Sequence, residues 1–169
     1  MSSTEWSAYL RDRLAVPLSP AEIDARVVSR LLAAYRVHLP LLPGAAAAVR
    51  RMAGRWPLGL ASSSNRAVID AVLEEAGLSS LFGATVSSEE VGQGKPAPEV
   101  YLEAARRLGV DAPACAVVED SANGIRSGLA AGMAVVAIPN PHFPPPEEVL
   151  ARATVVLQGI GDLEPGVLA

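Results

Sequence analysis

The chain has 169 residues, enough for one domain with a small appendage. Half of them are hydrophobic, and a net charge of −4 without any basic tract argues against a nucleic-acid partner. The longest apolar run, 128–139, is broken by glycine and too short to span a bilayer, and the N-terminus shows no basic n-region or apolar h-region, so neither a membrane partner nor secretion is expected. A single cysteine, Cys115, sits in an apolar run and reads as a small core residue of a cytoplasmic protein.

In chain order, residues 5–14 are predicted helical, with Trp6, Tyr9, Leu10 and Leu14 at helical spacing. Ser19-Pro20-Ala21-Glu22 has the form of a capping box with proline in the first turn, and the helix it opens should run to Val37 with Ile23, Val27, Leu31 and Ala34 on its apolar face. Pro40 and Pro43 end it. The pattern then changes to strands alternating with helices. Helix is expected over 44–53, strand over 57–61, a helix capped by Asn65 and ended by Gly77, and strand over 84–86. A helix from Pro98 to Leu108, strands over 114–118 and 134–138, and a last short strand over 154–157 follow. This alternation predicts a three-layer, Rossmann-like α/β fold, a parallel sheet with helices on both faces.

Three polar stretches fall at comparable places in successive units. Ser62-Ser63-Ser64 follows one strand, Lys95 precedes one helix, and Glu119-Asp120 follows another strand. Carboxyl ends of parallel strands share one edge, so the three can converge there. Hydroxyls, free amides, an ammonium and two adjacent carboxylates able to share a Mg²⁺ ion would together receive a phosphate group. Each has a plainer reading: a loop with a helix cap for the serines, a surface cation for Lys95, a helix-dipole pair for the acids. Of the 14 basic residues, however, Lys95 is the one lysine, in a chain that otherwise uses arginine. A compact ammonium reaching a single oxygen differs from a planar guanidinium fork, so its use inside Gly94-Lys95-Pro96 points to geometry. His38 and His142 lack ligand spacing and read as structural or solvated.

Gly59-Leu60-Ala61-Ser62-Ser63-Ser64-Asn65, Gly94-Lys95-Pro96-Ala97-Pro98-Glu99-Val100-Tyr101 and Val118-Glu119-Asp120-Ser121-Ala122-Asn123-Gly124-Ile125 resemble motifs II, III and IV of the haloacid dehalogenase-like hydrolases, in the right order. The branch they resemble is that of β-phosphoglucomutase and the sugar-phosphate phosphatases. The resemblance covers about 41–163. It implies that Ser62 and the Ser63 amide bind a phosphoryl group and that Lys95 bridges phosphate and nucleophile. It also implies that Glu119 and Asp120 hold Mg²⁺, while Ser64, Asn65 and Arg66 face the substrate, a small phosphorylated metabolite such as a sugar phosphate. Phosphatase and mutase both remain open. Residues 1–40 resemble the end of a helical cap, and 41–169 the α/β core.

One departure is large. The family's motif I, Asp-x-Asp, supplies an aspartyl nucleophile and a general acid–base, and this sequence contains no Asp-x-Asp. The acids before Ser62 are Glu5, Asp12, Glu22 and Asp24, all in predicted helices. The resemblance therefore implies that the central first strand is missing, that the chain is truncated at its start, and that it is inactive as it stands. A non-catalytic phosphate and Mg²⁺ module, or a fragment needing a partner strand, are the alternatives. The missing strand would lie between those bearing Ser62 and Glu119, leaving two unpaired edges through which chains could associate.

Overall fold

The computed structural model describes residues 3–168. Two helices come first, α1 (Ser3–Leu14) and α2 (Pro20–Val37). Ser19 starts α2 as the sequence implies: its Oγ accepts the Glu22 amide at 3.3 Å, and its own amide donates to the Glu22 carboxylate at 2.9 Å. Helix α1 packs on α2 and on the turn at 88–90. The side it buries is Ser3 and Ser7, one turn apart, while Tyr9 and Leu14 lie exposed. The apolar spacing thus located the helix but not its buried face.

The remainder alternates: α3 (Ala45–Ala53), β1 (Leu58–Ser62), α4 (Arg66–Glu75), β2 (Phe82–Ser87), α5 (Glu99–Leu108), β3 (Ala116–Glu119), α6 (Ala122–Ala130), β4 (Ala134–Ala137), α7 (Glu147–Leu150) and β5 (Val155–Val156). The fold is α/β with parallel strands and helices on both faces. The last strand is shorter than expected because Thr154 takes over part of the ladder. Its hydroxyl accepts the Val135 amide at 3.0 Å, and its amide donates to the Val135 carbonyl at 2.8 Å. Asn65 occupies the N-cap position of α4 without capping it, since its carboxamide points elsewhere. The Glu89 carboxylate accepts the Arg66 amide at 3.1 Å instead.

The strands form two sheets, β1-β2 and β3-β4-β5, and no ladder joins β1 to β3 among the described residues. Helices hold the two sheets together. On one face, Ala61 of β1 packs with Val117 of β3 in the cluster that Val100 and Tyr101 of α5 and Ile125 of α6 complete. On the other face, Met52 of α3 gathers Leu58 of β1 with Trp56 just before it, and Val136 of β4 with Leu157 and Leu163 from beyond β5. Between these layers the strand interior is partly uncovered. Val118 is 41% exposed although it lies in register with Val136, which is 0% exposed.

This arrangement predicts unequal costs for two neighbouring truncations. Val136→Ala removes two buried methyl groups and should lower stability by about 2 kcal/mol. Val118→Ala, half in solvent, should cost less than about 1 kcal/mol. Urea denaturation of the two variants checks the order; equal losses would mean that Val118 is covered.

Candidate functional site

Lys95 reaches the site from the loop before α5. Its Nζ donates to the Ala61 carbonyl at 3.2 Å, at the carboxyl end of β1, and forms an ion pair with the Glu119 Oε1 at the end of β3. Its side chain is 11% exposed and that of Glu119 8%. The ammonium also lies 4.7 Å from the centroid of the Tyr101 ring, within cation–π range. One side chain thus touches both sheets at their carboxyl ends.

Glu119 is fully engaged. Oε1 accepts from Lys95 and from the Tyr101 hydroxyl. Oε2 accepts the amides of Asp120 at 3.1 Å and Ser121 at 3.3 Å and the Ser121 hydroxyl at 3.1 Å. Ser121 in turn caps α6, its Oγ taking the Gly124 amide at 3.1 Å. The carboxylate therefore lies over the start of α6, where the helix dipole favours negative charge. Gly124 makes room for it: a Cβ there would stand 1.9 Å from the Glu119 carboxyl carbon. Burial pushes the Glu119 pKa up, but Lys95, Tyr101 and the Ser121 amide together outweigh burial and hold it below the ordinary value. Burial foremost, then the Glu119 charge, pushes the Tyr101 phenol up, so it stays a proton donor.

The serine run follows β1 directly. Ser62 Oγ accepts the Ser64 amide at 3.1 Å, which leaves its own proton for another acceptor. The Ser64 carbonyl accepts from the buried Ser87 hydroxyl at 2.7 Å, and Ser62 pairs in register with Ser87. Ser62 is thus adjacent in sequence to the carbonyl that anchors Lys95, and Ser63 continues the same turn. Asp120 follows Glu119 and is exposed, its charge near enough to the Tyr101 phenol to add to that phenol's upward shift.

Three of the expected site residues have partners within the chain. Asn65 does not face an open site: its Nδ2 donates to Asp24 of α2 at 3.1 and 3.2 Å and to Glu89 at 2.8 Å. Arg66 turns toward the outer strand, bonding the Thr85 hydroxyl at 2.8 Å, the Thr85 carbonyl at 3.1 Å, Asp70 at 3.3 Å and Glu90. Four acceptors within reach of one guanidinium fix it there. Both Glu119 oxygens already accept hydrogen bonds from within the chain. Sequence reasoning also passed over Tyr101 and Gly124 as site residues. A signal for the first was available, since a phenol on the buried stripe Val100, Ala104, Ala105 requires a partner. Gly124 carried no comparable signal, because the need for it comes from Glu119 folding back.

A family profile described as haloacid dehalogenase-like hydrolase matches residues 2–132. The chain is 38% identical over 125 residues to hexitol phosphatase B of Escherichia coli, which covers 73% of this chain and 56% of that protein. It is 36% identical over 135 residues to a bifunctional riboflavin kinase/FMN phosphatase of Arabidopsis thaliana, covering 79% of this chain and 35% of the relative. The chain thus spans about half of the first relative and a third of the second. Among solved structures, CbbY from Rhodobacter sphaeroides in complex with phosphate superposes with a TM-score of 0.77 at 24% identity, covering 90% of this chain and 70% of that one. A β-phosphoglucomutase from Clostridium difficile gives 0.77 at 22%, covering 98% and 74%. At those identities the two structures establish the fold.

Two outcomes follow from the Glu119 network. Its folded pKa is depressed from 4.5, so its contribution to stability is complete above 4.5 and is lost as pH falls through the lower folded value. The stability gap between wild type and Glu119→Gln should be wide at neutral pH and close in strong acid; a gap independent of pH would contradict the pairing. Gly124→Ala should cost about 2–4 kcal/mol, since its methyl group displaces the carboxylate from its donors. Thermal unfolding followed by circular dichroism measures this, with Gly132→Ala, which has open space around it, as a strain-only control.

Proposed function

The chain belongs to the haloacid dehalogenase-like hydrolases, and on that basis we propose that the edge formed by Ser62, Ser63, Lys95 and Asp120 is the phosphate site of a phosphatase acting on a small phosphorylated metabolite, such as a sugar phosphate. One observation carries this reading: a nearly buried ammonium is fixed where two parallel strands end, beside a serine whose proton is uncommitted. A phosphoryl oxygen there would meet the Ser62 hydroxyl, the backbone amides of the serine turn and the Lys95 charge. Such charge-assisted bonds bind and polarise a phosphate ester. The 73% of the chain that aligns with hexitol phosphatase B supports the substrate class. In this proposal residues 1–40 belong to a cap and 41–169 to the core that carries the site.

Chemistry requires more than these residues. With no Asp-x-Asp in the sequence, nothing here attacks phosphorus in the way the family does. Hydrolases of this family generally use Mg²⁺. The donors at hand do not build such a site: no group of three or more Asp, Glu, His or Cys side chains gathers among the described residues. Glu119 is committed to five donors, and Asp120 alone is too few for an ion that demands near-octahedral oxygen coordination. Our proposal is that the 169 residues bind phosphate without turning it over, and that an Asp-x-Asp strand from outside them completes both metal site and catalysis.

Calorimetric titration with inorganic phosphate should show weak saturable binding that Lys95→Met reduces about tenfold or more. Unchanged affinity in Lys95→Met would remove the reading. With p-nitrophenyl phosphate and Mg²⁺ no turnover is expected. Turnover that Asp120→Asn abolishes would mean that an unrecognised nucleophile is present.

A further inference from the structure

Two donors meet at one oxygen. Oε1 of Glu119 accepts from the Lys95 ammonium and from the Tyr101 hydroxyl, while Oε2 is taken by the amides of Asp120 and Ser121 and by the Ser121 hydroxyl. A carboxylate oxygen has two lone-pair sites, so Lys95 and Tyr101 between them fill Oε1. The same tyrosine also meets Lys95 directly, its ring centroid lying 4.7 Å from Nζ. Neither side chain has room to swing away. Tyr101 is 8% exposed in the first turn of α5, and the Lys95 side chain is nearly as buried. The loop between them is held from α6, where the fully buried Ser127 donates its hydroxyl to the Ala97 carbonyl at 2.6 Å.

We propose that Tyr101 is a positioning residue of the phosphate site: by sharing Oε1 with Lys95, its hydroxyl keeps part of the Lys95 charge available to a phosphoryl group. This deepens the phosphate reading and rests on it. An oxygen shared between two donors pulls on each less than it would on one. Without the phenol, the whole pull of Oε1 falls on Lys95, and the ammonium is drawn toward Glu119 and away from a ligand. The Ala61 carbonyl, 3.2 Å from Nζ, is neutral and cannot balance a carboxylate. Ring and hydroxyl therefore have separate tasks. The ring gives the ammonium a face to rest on, and the hydroxyl relieves it of part of its counter-charge. A tyrosine that served only the packing of α5 would behave differently. Removing its hydroxyl would lower stability and leave the surviving ion pair, and any ligand on it, as they were.

Two measurements on the full chain test this: calorimetric titration with inorganic phosphate, and heteronuclear NMR of the Lys95 ammonium, the one lysine side chain in the sequence. Tyr101→Phe keeps the ring and removes the hydroxyl. It should weaken phosphate binding about threefold to tenfold, and the ammonium protons should exchange more slowly with water as the ion pair tightens. Leu78→Val, which loosens the separate cluster of Ile69 and Leu73, should leave both readings unchanged. The chain carrying 3-fluorotyrosine, a stronger hydroxyl donor of nearly the same shape, should bind phosphate about twofold more tightly. The other two tyrosines, Tyr9 and Tyr35, lie on α1 and α2. If Tyr101→Phe does not fold, the fluorinated chain decides alone. Unchanged or tighter phosphate binding in Tyr101→Phe would overturn the proposal, as would an equal weakening in Leu78→Val. If the wild type bound no phosphate, the phosphate reading itself would fall. The ammonium signal would then decide whether Tyr101 shares Oε1, and a signal unchanged in Tyr101→Phe would overturn that too.

Discussion

The ion pair between Lys95 and Glu119 is the constraint on which the rest depends. The two side chains come from different sheets' surroundings, and no backbone ladder ties those sheets together among the described residues. Burying an ammonium and a carboxylate is costly unless their geometry is good and their remaining bonding capacity is used. Here it is used: Lys95 also takes the Ala61 carbonyl and the Tyr101 ring, and Glu119 also takes a phenol, two amides and a hydroxyl. Gly124 is the backbone concession that lets the carboxylate lie so close to α6. Apolar layers then close over the network from both faces.

The same network decides what the edge can do. Lys95 holds an ammonium still where β1 and β3 end. The network also engages both oxygens of Glu119, while the neighbouring Asp120 stays exposed. The outer parts of the fold are pinned by similar but exposed pairs. Arg66 and Arg107 converge on Glu90 and on the Thr85 carbonyl, and although burial raises it, they bring the Glu90 pKa down to about 2. Both arginines thereby cover the free side of β2, a common protection for an edge strand.

Much of this was legible in the sequence. Capping chemistry located the start of α2 to the residue, because Ser19 acts on an amide within three positions of itself. Apolar runs located the strands. What sequence could not supply were partners chosen across the fold. Asn65 looked like a cap, but Asp24, 41 positions earlier, and Glu89, 24 later, claim its amide. Arg66 looked like a substrate contact until Thr85 and Glu90 were in place. Glu119 and Asp120, adjacent in sequence, looked alike, and only Lys95, Tyr101 and the α6 amides distinguish the engaged carboxylate from the exposed one.

A double-mutant cycle on Lys95→Met and Glu119→Gln measures this central pair most directly. Each single change leaves its partner buried without its counter-charge and should cost about 3–5 kcal/mol in urea unfolding at neutral pH. The double variant should cost well under the sum, with a coupling of at least about 2 kcal/mol. Additive losses would contradict the account, because they would mean that the two groups stabilise the fold independently.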